Sequence, residues 1–134
     1  MSRHEDFQLM NVGKAIDFSL ECVRSGILIN GGAVVALLAF LGGSNAKIIE
    51  SASIHTAMIC FCLGIICAVL GGITGYVAQI QHAGVSARLS AGKIPNQKPA
   101  VLFTVLGIFL MLGAVACFVL GTYFASSALF PVKV

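Results

Sequence analysis

The stretch SASIHTAMICFCLGIICAVLGGITGYVAQIQHAGVSA, residues 51–87, contains no Asp, Glu, Lys or Arg. Its apolar part, residues 54–80, reaches about 40 Å as helix, enough to cross a hydrocarbon core of roughly 30 Å. Barrel strands alternate apolar and polar residues, and this run does not. A segment in lipid must satisfy its own backbone groups, so the run is read as helix. Two further charge-free runs flank it, residues 25–46 and residues 99–132. The apolar part of the third is residues 100–125. The whole chain of 134 residues is 58% hydrophobic and 10% charged, against about 25% charged in a soluble domain. So few charges cannot cover a water-facing surface, and the apolar excess is assigned to lipid.

The expected architecture is an all-α membrane protein with three transmembrane helices, an N-terminal amphipathic helix and a cytoplasmic extension of the second span. It forms one membrane domain over residues 1–134. The amphipathic helix covers 5–24 and span 1 covers 25–44. Span 2 covers 54–80, with helix on to about 90; a cytoplasmic loop covers 91–98, and span 3 covers 99–126. The N-terminal stripe is Leu9, Val12, Ile16, Leu20, Val23 and Ile27, at steps of three and four. Lys14, Asp17, Glu21 and Arg24 fall on another side, where i,i+3 pairs can interact. Membrane-surface helices are usually rich in Lys and Arg. This one is slightly acidic, which favours packing against protein over anionic lipid. Gly92 is a helix stop, Pro95-Asn96 a turn, and Pro99 an opening residue for the third helix.

Basic residues give the orientation. The N-terminal segment carries Arg3, Lys14 and Arg24, and the second loop Arg88, Lys93 and Lys98; the first loop has Lys47 and the tail Lys133. Six against two places the N-terminus and second loop in the cytoplasm and the C-terminus outside. Ser44-Asn45-Ala46 has the small residues of a signal-peptide cleavage site. The leader before it holds four acids against three bases, unlike the short basic leader of a signal peptide, so a retained anchor is expected. The net charge is +3, from scattered bases, which gives no footprint for nucleic acid.

Polar residues inside the spans are few. Asn30 lies about six residues past Arg24, roughly 9 Å deep, with Thr74 at a similar depth and Thr104 just inside the third span. Together they would form one polar layer near the cytoplasmic side, read as interhelical glue in preference to the lining of a water or ion path. Small residues at helical spacing mark packing faces: Gly32 and Ala36 in span 1, Gly64, Gly71 and Gly75 in span 2, and Gly113, Cys117 and Gly121 in span 3. Gly71 and Gly75 form a G-x-x-x-G pair.

Chemistry is sparse. Cys60 and Cys62 diverge by about 200° on a helix, and Cys60 and Cys67 lie about 10 Å apart along one face, so neither pair suits a metal. Five cysteines, an odd number and mostly in apolar runs, argue against a disulfide framework. His4, His55 and His82 are separated in sequence and form no Ser-His-Asp or Cys-His grouping; all acids except Glu50 lie before residue 22, and Glu50 shares the outer loop with His55, five residues away. No phosphate-binding loop is present. No catalytic residue, cofactor or metal is therefore expected. The absence of Asp, Glu, Lys and Arg within the spans disfavours a proton-coupled transporter.

The segment ILINGGAVVALLAFLG, residues 27–42, following an amphipathic helix, resembles a group of small three-span proteobacterial inner-membrane proteins. The resemblance covers about the first 45 residues and the general layout. It implies a bacterial origin and carries over no functional residues. The expected function is a non-enzymatic membrane subunit that assembles with itself or with a larger membrane complex. The alternative is an oligomeric pore-forming or membrane-perturbing effector of a toxin or phage-defence kind.

Overall fold

The computed structural model describes residues 3–43 and 51–129, with side chains of the first helix from Ile16 onward, Phe18 apart. Ser44-Asn45-Ala46, Lys47, Glu50 and Lys133, and the side chains of His4, Leu9, Val12 and Lys14, lie outside the described residues. Among the described residues the fold has three helices: α1 (Arg3–Leu41), α2 (Ser51–Ser90) and α3 (Lys98–Leu129). No strand occurs among the described residues. Each helix carries a stretch long and apolar enough to cross a membrane: Ser19–Leu41, Ala52–Ser90 and Lys98–Ala128. The protein is thus an all-helical chain of the multi-pass membrane type.

Residues 5–24, expected as an amphipathic helix, and the first apolar stretch are one continuous helix. At 1.5 Å per residue α1 and α2 each reach roughly 60 Å, about twice the thickness of a hydrocarbon core.

The turn between α2 and α3 follows from three local signals. Gly92 has φ +70°, a left-handed conformation that costs glycine least. Its N–H donates to Leu89 O at 3.0 Å and that of Lys93 donates to Arg88 O at 3.0 Å, the paired bonds of a Schellman stop. Asn96 Oδ1 then accepts the Lys98 N–H at 3.1 Å, capping α3. Pro99 follows in the first turn, where a missing N–H leaves nothing unpaired.

The helices run antiparallel in sequence order. Gly26 lies on Ala68 and Gly72 on Val23, and Gly121 lies on the Phe61 ring and Gly71 on Met111. α2 is central: it packs most extensively on α3, less on α1, and α1 touches α3 least. The buried positions of α3 are Ala100, Gly107, Ala114, Gly121 and Ala128, one every seven residues. On α2 Ala57, Gly64, Gly71 and Ala78 keep the same step, alternating with Ile54, Phe61 and Ala68. A seven-residue repeat is the signature of left-handed coiled-coil packing. Its small side chains let the two backbones approach closely, which drives association where lipid is as apolar as leucine.

The larger core side chains sit at the first-loop end, where Leu37, Ile54, Ala57, Phe61 and Ala128 cluster. Phe61 and Phe118 pack with ring centroids 6.0 Å apart. Most other large apolar side chains are exposed, Leu28, Val35, Phe109 and Leu112 among them. Such a surface is suited to lipid or to another apolar helix.

Gly84 stands in the helical interior of α2 with no atom within 4 Å of a would-be Cβ. Gly84→Ala therefore gains helix propensity without a clash. It is expected to stabilise the fold by about 0.5–1 kcal/mol, read as a raised thermal midpoint in detergent by circular dichroism.

Candidate functional site

The polar centre of the bundle is Asn30, whose side chain is 1% exposed. Its Nδ2 donates to Gly26 O at 2.9 Å within α1 and to Ala114 O at 3.4 Å on α3. Both amide protons point at carbonyls, so Oδ1 is turned the other way, towards α2. There it meets Gly64, where a side chain's Cβ would fall on Oδ1 itself. Oδ1 has no hydrogen-bond donor within reach. The approach to Gly64 Cα sets a C–H against the oxygen, the weak contact that recurs between closely packed helices. Asn30 thus joins all three helices at one point, and glycine at 64 is what leaves room for it.

The three residues expected to share a polar layer do not meet. Asn30 is level with Gly64 and Ala114. It is eleven residues from either end of the apolar stretch Ser19–Leu41, hence at mid-span and not near one side. The difference arises because the apolar stretch of α1 begins before Arg24, at Ser19. Thr74 is ten residues further along α2 than Gly64, roughly 15 Å. Its hydroxyl donates to its own helix, at Leu70 O (2.9 Å) and Gly71 O (3.0 Å). Thr104 is further still towards the second loop. Its Oγ1 donates to Ala100 O at 2.9 Å and lies 3.2 Å from His82 Nε2. Which of the two donates in the His82–Thr104 contact depends on the imidazole tautomer.

The small residues divide into two sets. Gly64, Gly71 and Gly121 are used inside the bundle: Gly71 lies against Met111 and the Gly107 carbonyl, and Gly121 against the Phe61 ring. A Cβ at Gly113 would make only ordinary contact with Cys67 Sγ, at 3.8 Å, and Cys117 is half-buried. A Cβ at Gly32 or at Gly75 would meet nothing within 4 Å, and Ala36 is exposed. Gly32 and Ala36 line an apolar groove between α1 and α3, with Phe61 and Phe118 beneath. Sequence reasoning passed over Gly26, Gly72 and Gly107, at each of which an added Cβ would stand only 3.1–3.2 Å from a neighbouring helix.

No known protein family, curated protein or solved structure matches the chain. Roles for its residues therefore rest on their chemistry alone. The five cysteines are free thiols. Among the described residues no three of His, Cys, Asp and Glu are grouped to hold a metal ion. The candidate site is accordingly a helix junction and an open helix face.

Proposed function

We infer that the chain is a non-enzymatic subunit of a bacterial inner membrane, with a cytoplasmic N-terminus and a periplasmic C-terminus. It assembles with itself or with a larger membrane complex through small-residue helix surface. The carrying observation is what the packed bundle leaves over. Gly32 and Ala36 stay open on α1 while Gly64, Gly71 and Gly121 are consumed inside. In lipid, small residues on an open face are where a further helix approaches most closely. The orientation is supported, with Arg24 left aside, by five basic residues of the N-terminal segment and second loop against two of the first loop and tail. Asn30, Thr74 and Thr104 stand at three separate levels, which gives a pore no shared polar lining from them.

Light scattering of the purified protein in mild detergent tests this reading. A species at a multiple of 13.9 kDa, or one carrying a second membrane protein, is expected. Gly32→Leu combined with Ala36→Leu should shift it towards the single chain, since both positions lie outside the buried core. A 13.9 kDa chain at every concentration, with nothing co-purifying from native membranes, would remove the basis for the proposal.

A further inference from the structure

We propose that α1 pairs in parallel with α1 of a second copy along one outward seam, with Glu21 of each copy meeting Arg24 of the other. This deepens the self-assembly reading and rests on it. The seam is Asp17, Glu21, Arg24, Leu28, Gly32, Val35 and Ala39, all exposed. Its steps are 4, 3, 4, 4, 3 and 4, two repeats of eleven residues. An eleven-residue repeat holds nearly to one line along a helix. The line lies opposite the face that carries Val23, Gly26, Asn30 and Leu37 into the bundle, so nothing in the single chain covers it.

The charges on this seam argue for a protein partner over lipid. Val23 packs on Gly72, and Gly26 on Ala68 and Met111. With Asn30 on Ala114 and Gly71 on Gly107, Glu21 and Arg24 lie level with the stretch of α2 around Gly72 and of α3 around Gly107. Past that level α3 still exposes Leu102 and Val101, roughly 8 Å further along the helix. α2 likewise still exposes Ile73 and Ile80. The two charged side chains stand inside the apolar band, 69% and 72% exposed and only 4.0 Å apart. Ionisable groups at such depth normally face protein and pair with one another. Arginine can move its head along its stem towards water, whereas the shorter glutamate has less reach.

A second copy in the same membrane shares this one's orientation, so its seam arrives at the same level. A two-fold axis along the membrane normal sets each Arg24 beside the partner's Glu21, twice over, and leaves neither of those two charges alone. Leu28 and Val35 then meet their counterparts, and Gly32 allows the close approach. A partner helix without an acid and a base at this height would leave Glu21 and Arg24 only each other, at the 4.0 Å of the pair within one helix.

The test uses full-length chains with two different tags, reconstituted together in bilayers. Glu21→Arg chains alone and Arg24→Glu chains alone should each self-pair at least about tenfold less than wild type, because like charges then face each other. A mixture of the two variants should pair again across the tags. The rescue could not occur if either variant were simply misfolded. In oxidising conditions Leu28→Cys should add a disulfide-linked dimer absent from wild type, whose five native thiols supply the background. Wild type that pairs, while the charge variants pair equally well and Leu28→Cys adds no link, would overturn the seam and leave self-assembly standing. Wild type that never pairs would overturn both.

Discussion

Gly64→Ala will unseat Asn30 and loosen α1 from the other two helices. The added methyl group falls where Asn30 Oδ1 now sits, and the carboxamide cannot move aside without breaking its bond to Ala114 O. Overpacking of this kind costs about 1–3 kcal/mol, and a lost interhelical hydrogen bond in a membrane adds roughly 0.6. A total near 2–3 kcal/mol is expected by denaturation in mixed micelles. A double-mutant cycle separates this from a general effect of alanine at position 64. With Asn30→Ala the space at Gly64 is empty, and Gly64→Ala should then cost less than about 1 kcal/mol. A coupling of about 1–2 kcal/mol is in the range found between residues in contact. Equal costs in both backgrounds would mean that the Asn30 side chain lies elsewhere.

Gly107→Leu will force α2 and α3 apart. A Cβ at Gly107 lies 3.2 Å from Thr74 Oγ1, 3.5 Å from Gly71 O and 3.6 Å from Gly75 N. Two of those atoms are backbone and cannot rotate away, and leucine adds three further carbons beyond Cβ. The helices must separate, taking the contacts above and below with them, at a cost of roughly 3–5 kcal/mol. Gly113→Leu is the informative contrast. Its Cβ would lie 3.8 Å from Cys67 Sγ, an ordinary contact against a side chain, so less than half that loss is expected. Similar losses at the two positions would contradict the seven-residue register of the α2–α3 pair.

That register explains what could and could not be read from the residues alone. The three helices were legible because charge-free runs of this length have one way to satisfy their backbones in lipid. The stop at Gly92 and the opening at Pro99 were legible because their chemistry is local. The packing faces were only half legible. Stepping by four along Gly113, Cys117, Gly121 and Ala125 rotates 40° with each step, so that line winds around α3. Stepping by seven drifts only about 20° and runs through Gly107, Ala114 and Gly121. Sequence reasoning therefore found Gly121, where the two lines cross, and missed Gly107. Asn30 was visible as an oddity in span 1. Its seat was not, because nothing in the sequence near residue 30 points to Gly64 or Ala114.

The double attachment of Asn30 also bears on the order in which the polypeptide matures. Its bond to Ala114 O reaches 84 positions along the chain, to a residue the ribosome delivers long after α1 is complete. Until then the amide can still use the Gly26 carbonyl one turn away, at 2.9 Å. The first helix can thus wait in the bilayer with one proton already placed. Arrival of the later hairpin then completes the junction without the nascent segment having to rewind.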